Sequence, residues 1–142
     1  MNKQQKTIVT KWAKALRSGE YKQGMRTLNK QDARSGQHLW CCLGVLCDLA
    51  VAEGVISPPT TVEYGAVLYG YGNKNVATRT KKVGFSTGLI PSDVVRWVGL
   101  QTADGTFHIP TGNTSLAAAN DSGMNFESIA DLIESKPEGL FY

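Results

Sequence analysis

Apolar residues recur with a helical period near both ends of the chain. Between Ile8 and Leu16 they fall on one stripe, lysines occupy most of the other positions, and Gly19 follows as a stop. A second stripe begins after Asn125, a favourable N-cap, and ends before Pro137. Both segments are predicted to be amphipathic helices that bury one face.

A third helix is predicted over residues 39–53, where the chain is apolar almost without interruption before Gly54 supplies a C-terminal stop. Because such a helix is hydrophobic nearly all round, other elements must cover it on several sides. The middle of the chain is therefore expected to form the centre of the core.

The three cysteines in this segment are predicted to be core residues. Cys41, Cys42 and Cys47 match neither the spacing of zinc ligands nor a Cys-x-x-Cys pair. His38 and Cys42 would share a helix face, but two ligands are too few for a metal site. Since free cysteine packs as a small apolar residue, no metal or cofactor is expected here.

Residues 57–90 have a different composition, with many glycines among β-branched and aromatic residues. This pattern predicts short strands joined by turns, and Gly72 and Asn73 are a candidate hairpin tip. Residues 55–88 are interpreted as a variable glycine-rich β insertion within a single domain that spans residues 1–142.

The segment that follows predicts shorter elements. Pro91 opens a short helix that Gly99 ends, Asp104 and Gly105 make a turn into a strand, and Ser115 caps one or two helical turns. The predicted fold class is α+β, with three to four helices packed on a small, antiparallel sheet.

The composition is that of an ordinary soluble protein. The chain has 142 residues, 42% of them hydrophobic and 19% charged, which suffices for one domain with its own core. Asp48 interrupts the longest apolar run, so no membrane span is expected, and the N-terminus lacks the unbroken apolar segment of a signal peptide. With an odd number of cysteines, these features predict a cytoplasmic protein.

Charge is distributed unevenly along the chain. Residues 1–34 hold nine basic and two acidic residues, a net +7, whereas the remaining residues carry a net −4. A basic end can attract an anionic partner, or it can pair with acidic residues of its own fold. Both interpretations stay open at this point.

The motifs that define common enzyme classes are missing from the sequence. There is no G-x-S-x-G elbow, no H-E-x-x-H and no P-loop. His108 has no evident partner for acid–base catalysis. Asp121 and Glu127 are better explained by a turn and by the first turn of a helix. We therefore expect a protein that is not an enzyme.

Binding a phosphorylated ligand requires cations, an aromatic face and a few polar side chains, and the chain offers all three. The cations are Arg17, Lys22, Arg26 and Arg96, the aromatic faces are Tyr21 and Trp97, and Asn120 and Asp121 supply an amide and a carboxylate. Nucleic acid ranks second as a partner, because no recognised binding motif is present and the net charge is only +3.

Four segments together resemble a family of small tailed-phage proteins: KWAKALRSGEYKQGMRTL, LWCCLGVLCDLA, LIPSDVVRWVGL and SLAAANDSGMNFESIADLIE. The resemblance covers most of the chain outside residues 55–88. It implies an accessory protein made in an infected bacterial cell, where several kinds of small phage protein sequester immune signals without cleaving them. Arg17, Tyr21, Asn120 and Asp121 fall within these motifs.

Three hypotheses follow. The first is a homo-oligomeric inhibitor of host antiviral defence that sequesters a nucleotide-derived signal, of cyclic-nucleotide or ADP-ribose type, in the host cytoplasm. The second is a docking module that uses the basic N-terminal surface to bind a host protein or nucleic acid. The third, an enzyme that degrades the same signal, has the least support from the residues.

Overall fold

A computed structural model describes residues 1–63, 66–74 and 85–142 of the chain. The helices in these ranges are α1 (Lys3–Arg17), α2 (Cys42–Ala52), α3 (Ser92–Val98), α4 (Leu116–Asp121) and α5 (Phe126–Glu134). The strands are β1 (Asn29–Gln31), β2 (His38–Trp40), β3 (Thr60–Glu63), β4 (Val67–Gly72), β5 (Phe85–Ser86), β6 (Thr106–Ile109) and β7 (Gly112–Ser115). The predicted α+β class is confirmed.

Strands β1 to β5 form one antiparallel sheet in the order β2-β1-β4-β3, with β5 paired to the end of β4. Asn29 lies opposite Trp40, and both contribute to the core side of the sheet. Because side chains alternate along a strand, Lys30, Leu39 and Leu68 share the outer face. Strands β6 and β7 form a separate hairpin.

Helix α2 lies at the centre of the core, as its uniformly apolar sequence predicts. Its residues from Cys42 to Cys47 are all buried. Helix α1 packs against α2 and α5, and the indole N–H of Trp12 donates a hydrogen bond of 2.9 Å to the carbonyl oxygen of Cys42. Helices α3 and α4 also contact α2, so the helix is covered on several sides.

Local capping explains why most helices begin and end where the sequence predicts. Ser115 and Asn125 each accept a hydrogen bond from a backbone N–H in the first turn of α4 and α5. Gly99 ends α3 in the left-handed conformation, with φ of 84°. The turn at Asp104 and Gly105 also leads into β6 as predicted.

The predicted start of the central helix is wrong. Helix α2 begins at Cys42, and Leu39 and Trp40 belong to β2 instead. Trp40 lies opposite Asn29 of β1, and on its other side its backbone N–H donates to the carbonyl oxygen of Lys22 while its carbonyl oxygen accepts from the N–H of Gly24. Tertiary pairing has overridden a helical hydrophobic pattern, as it often does for a short apolar run. The shared helix face proposed for His38 and Cys42 therefore does not exist.

The predicted hairpin tip at Gly72 and Asn73 is also wrong. Gly72 is the last residue of β4 and pairs with Phe85, so the chain does not reverse at that point. Residues 75–84, in the connection between the two strands, lie outside the described residues. Strand β4 pairs with β1, β3 and β5, so residues 55–88 contribute a central strand of the sheet. Whether this segment varies among relatives stays a prediction.

We expect all three thiols to be inert in the native protein. Cys41, Cys42 and Cys47 are reduced and buried, and burial raises the pKa of each thiol. Since the thiolate is the reactive form, a thiol-titrating disulfide reagent should react with none of them until denaturant is added. Rapid reaction of one thiol without denaturant would contradict the core interpretation, and the count in denaturant serves as the control.

Candidate functional site

The buried side chain of Asn120 joins three segments that are distant in sequence. Its Oδ1 accepts hydrogen bonds from the backbone N–H of Cys42 at 3.1 Å and from Nε2 of Gln23 at 3.0 Å. Its Nδ2 donates to the carbonyl oxygen of Gly24 at 2.8 Å. Asn120 is fully buried, so its polar atoms are used to fasten α4 to α2 and to residues 22–26, here called the 22–26 loop.

The neighbouring carboxylate also holds the 22–26 loop. Oδ1 of Asp121 accepts a hydrogen bond of 2.7 Å from the backbone N–H of Arg26, whose φ is +70°. Nε2 of Gln23 donates a second bond, of 2.7 Å, to the carbonyl oxygen of Met124. A positive φ is uncommon for a residue other than glycine, so these contacts stabilise an unfavourable backbone conformation at Arg26.

Lys22 is the first residue of this loop, and Tyr21 directly precedes it. The hydroxyl of Tyr21 donates to the carboxylate of Asp48, and its ring meets that of Trp40 edge-on at 5.2 Å between centroids. Burial, followed by the hydrogen bond with Asp48, raises the pKa of Tyr21. Nζ of Lys22 donates to the side-chain oxygen of Gln37 at 3.2 Å. The structure thus brings five of the predicted site residues into one region: Tyr21, Lys22, Arg26, Asn120 and Asp121.

Arg17 is placed differently, at the contact between α1 and α5. Its guanidinium pairs with the carboxylate of Asp131 at 2.6 Å and with that of Glu134. Hydrogen bonds with Asp131 and then Glu134 raise the pKa of Arg17 further. A basic residue of the N-terminal segment thus pairs with acidic residues of the same fold, which is one of the two interpretations of the uneven charge. The guanidinium of Arg17 is therefore already engaged, although the sequence predicts that it binds phosphate.

Replacing Arg17 with alanine should lower the melting temperature only slightly, because the guanidinium and both carboxylates are accessible to solvent, which screens their interaction. The difference from wild type should shrink further at high salt. Thermal melts followed by circular dichroism at low and high salt measure both effects, with Lys14→Ala on the same helix as the matched control. A large, salt-independent loss would contradict a surface ion pair.

Arg96 and Trp97 lie on α3, apart from the loop. Nε2 of Gln5 donates to the carbonyl oxygen of Arg96, so this part of α3 lies beside the first turns of α1. Arg17 is at the other end of that helix, roughly 18 Å away along its axis at 1.5 Å per residue. The Arg96 side chain pairs with Asp93, and Trp97 packs against the core. The eight predicted residues therefore do not form one pocket.

An apolar cleft of about 480 Å³ opens between the β6–β7 hairpin and helices α4 and α5. Its lining consists of apolar and hydroxyl-bearing side chains: Phe107, Ile109, Thr114, Ala118, Ala119, Ser122, Met124 and Leu132. None of the predicted site residues is among them. The cleft suits apolar groups rather than a phosphate.

Two of the exposed large apolar side chains belong to the lining of this cleft, and two others lie on neighbouring segments of the chain. Ile109 and Met124 line the cleft, and Gln23, two residues before Met25, donates a hydrogen bond to the carbonyl oxygen of Met124. The backbone of Gly88, next to Leu89, lies close to the carbonyl oxygen of Arg26.

Besides Tyr142, four large apolar residues are exposed in the described part of the chain. We call these four the apolar strip: Met25, Leu89, Ile109 and Met124.

Two further features bear on chemistry. Nδ1 of His108 interacts with the side-chain oxygen of Asn113 across the β6–β7 hairpin, and its ring packs near Gly139. Within the described ranges, no group of three or more His, Cys, Asp or Glu residues could hold a metal ion.

A family model matches residues 1–137, and the family is described as a domain of unknown function, DUF8296. The chain belongs to this family. No curated protein and no solved structure is significantly similar to it. The match includes the cleft and the whole apolar strip, so both belong to the DUF8296 portion of the chain. No helix among the described residues of this DUF8296 protein is long and apolar enough to cross a membrane.

The residues that sequence reasoning missed in this DUF8296 chain are apolar. Met25 stands alone in a polar loop, and that isolation was the one available signal. Ile109 and Met124 could not be separated from core residues, because their exposure depends on how α4, α5 and the hairpin pack.

Proposed function

We propose that this protein is a non-catalytic docking module that binds another protein through the apolar strip and the cleft beside it. The observation that carries the proposal is an open, mainly apolar cleft whose lining includes the exposed side chains of Ile109 and Met124. Apolar residues scattered singly are normal on a protein surface, whereas exposed apolar side chains gathered at one cleft are typical of an interaction site.

The walls of the cleft support this proposal because they are built from well-defined elements. Helices α4 and α5 begin at side-chain caps, and the β6–β7 hairpin pairs from Thr106 to Ser115. Asn120 fastens α4 to the core from behind. A preformed surface loses little conformational entropy when it binds, which favours docking without rearrangement.

Sequestration of a nucleotide-derived signal stays a prediction with less support. Arg17 is paired within the fold, and Arg96 and Trp97 lie apart from the loop that holds the other candidates. Asn120 is buried and uses its amide internally. The phage origin, the cytoplasmic location in an infected cell and the homo-oligomer also stay predictions.

Site-specific photo-cross-linking in the native host cell tests the docking function. The photo-reactive residue p-benzoylphenylalanine is placed at Ile109 or Met124, and at exposed Tyr142 as the matched control. We expect one discrete protein adduct from the two strip positions and none from the control position. Adding Ala118→Arg, which places a charged side chain in the cleft, should abolish the adduct without changing the melting temperature.

The mass of the adduct decides between the remaining outcomes. A mass equal to two copies of this chain would assign the surface to self-association and overturn docking on another protein. Equal adducts at all three positions would also overturn it. Separately, heating purified protein and analysing the supernatant by mass spectrometry tests sequestration, since a nucleotide released intact would favour that hypothesis.

A further inference from the structure

Helix α1 presents an outer face without an acidic or apolar side chain. Its apolar positions face inward, and five of its residues are buried in the core: Ile8, Val9, Trp12, Ala13 and Leu16. Its exposed residues are cationic or neutral and polar: Lys3, Gln4, Lys6, Thr7, Thr10, Lys11, Lys14 and Arg17. A capping box formed by Asn2 and Gln5 fixes the start of the helix, so the positive face is held on a regular element.

Three cations of this face have no ion-pair partner among the described residues. We call these three the lysine face: Lys3, Lys6 and Lys14. The other two cations are paired within the fold, Lys11 with Glu53 at 2.7 Å and Arg17 with Asp131 and Glu134. Outside the described ranges, the sequence contains no Asp or Glu that could pair with the three lysines. The lysine face is therefore available to an external anion.

The lysine face is an extended line of charge along one side of α1. At about 100° per residue, its three members fall within an arc of about 80° around the helix axis. Lys3 and Lys14 lie about 16 Å apart along that axis, at about 1.5 Å per residue. The net charge of +3 understates this local density, because the acidic excess of the chain lies beyond residue 34. Such a line suits an anion with several charges along its length better than one small anion.

The side chains around the lysine face indicate which polyanion it suits. Interfacial helices bind a membrane by inserting their apolar face, and the apolar face of α1 is buried in the core. A protein partner would need an apolar centre to its interface, and α1 exposes no apolar side chain. Contacts with a nucleic-acid backbone are made mainly by cations and neutral polar groups, which are the types that α1 exposes. Single strands also stack on aromatic rings, which this face lacks, so a duplex is favoured.

We infer that the lysine face binds the phosphate backbone of a nucleic-acid duplex without reading its sequence. This role goes beyond the docking function, since no residue of α1 lines the cleft. Each lysine neutralises about one phosphate, so the logarithm of the binding constant falls against the logarithm of the salt concentration with a slope of about −3. Lys11 compensates Glu53, and Arg17 partly compensates Asp131 and Glu134, which limits the repulsion between these carboxylates and the backbone.

A short labelled DNA duplex tests this inference by fluorescence anisotropy with the full-length protein at several salt concentrations. The wild-type slope should be about −3, and Lys14→Gln should reduce its magnitude by about 1. The double variant Lys3→Glu with Lys14→Glu should weaken binding by about tenfold or more, because two attractive contacts become repulsive.

The matched control is Lys22→Glu with Arg34→Glu, which makes the same charge change on the segments beside β2 rather than on α1. At about 0.1 M salt it should weaken binding by less than about threefold, because charges more than about 10 Å from the duplex are screened. Circular dichroism melts should show that all variants remain folded. Equal weakening by the two double variants would mean that total charge alone attracts the duplex, and would overturn the inference.

The remaining outcomes concern the identity of the polyanion. A salt slope that Lys14→Gln leaves unchanged, or no binding of the duplex at low salt, would contradict the inference. A glutamate-rich peptide that binds more tightly than the duplex, and that the double variant of Lys3 and Lys14 releases, would assign the face to an acidic protein and overturn it. An RNA duplex tested beside the DNA identifies the source of the phosphates, and selective loss of either duplex in that variant supports the inference. The cross-linking experiment decides docking independently of these results.

Discussion

Replacing Gly44 with alanine is expected to destabilise the protein by about 3 kcal/mol or more, because the added methyl group has no space. A Cβ at this position would lie 1.6 Å from the carbonyl oxygen of Leu28 and 2.5 Å from its carbonyl carbon. Both are backbone atoms of a fully buried residue, so no rotamer change relieves the overlap. Either α2 or the segment leading into β1 must move.

The sign of this effect distinguishes packing from helix propensity. In an exposed helix, glycine to alanine would be stabilising by about 1 kcal/mol. Urea denaturation followed by circular dichroism measures the difference, and a loss of this size is a large part of the total stability of a typical domain. Gly88→Ala is the matched control, because the nearest atom to its added Cβ is 3.9 Å away. Unchanged or increased stability of Gly44→Ala would contradict the close approach of α2 to Leu28.

The elements that the sequence predicted well are those whose ends are set by neighbouring residues. Asn125 and Ser115 cap their own helices, and Gly99 ends α3 through its own backbone conformation. Such signals lie within a few residues of the boundary they set, so they can be read without the fold.

The boundaries that were predicted wrongly depend on residues far along the chain. Leu39 and Trp40 extend an apolar run that is compatible with a helix, yet Trp40 pairs with β1 and with the 22–26 loop. At Gly72, the turn signal was overridden because β4 continues through this residue to pair with Phe85. Neither pairing can be predicted from the order of apolar and polar residues near the affected position.

The same reasoning applies to the candidate site. The charge of Arg17 predicts a phosphate contact, but its partners Asp131 and Glu134 lie more than a hundred positions away in the sequence. The polarity of Asn120 and Asp121 predicts contacts with a ligand, whereas in the structure they hold the 22–26 loop. Residue type predicts which groups a side chain can bind, whereas the fold determines which of those groups lies within bonding distance.

Removing the hydrogen bonds of Asn120 is also expected to lower the stability of the protein strongly. Asn120→Ala should cost about 3 kcal/mol, because it leaves the backbone N–H of Cys42 and the carbonyl of Gly24 without their partner, at about 1 to 3 kcal/mol for each buried group. The N–H of Cys42 belongs to the first turn of α2, so it has no partner within the helix. Gln23 loses one of its two bonds and keeps the one to Met124.

Asn120→Asp tests the donated hydrogen bond of Asn120 separately. The substitution keeps the side-chain shape and the oxygen that accepts from the N–H of Cys42, but it replaces the amide N–H₂ that donates to the carbonyl of Gly24 with a carboxylate oxygen. Burial disfavours the charged form, so the folded-state pKa of the new carboxyl should be raised above its unfolded value near 3.9. A raised pKa means that the penalty is complete above the folded-state value and declines as pH falls below it. Urea denaturation at neutral and acidic pH should show the deficit relative to wild type shrinking on acidification.

Ser122→Ala is the control for this pair, since the hydroxyl of this exposed residue makes only a local bond to Ala119, and its loss should change stability by less than about 0.5 kcal/mol. Because Asn120 holds the 22–26 loop, its loss should also release Met25 from the surface proposed for docking. Asn120→Ala is therefore expected to reduce the photo-cross-linked adduct formed from the Met124 position even under conditions where the variant remains folded. Full stability of both Asn120 variants would show that the loop is held by other contacts, and that the positions of Met25 and Arg26 do not depend on this side chain.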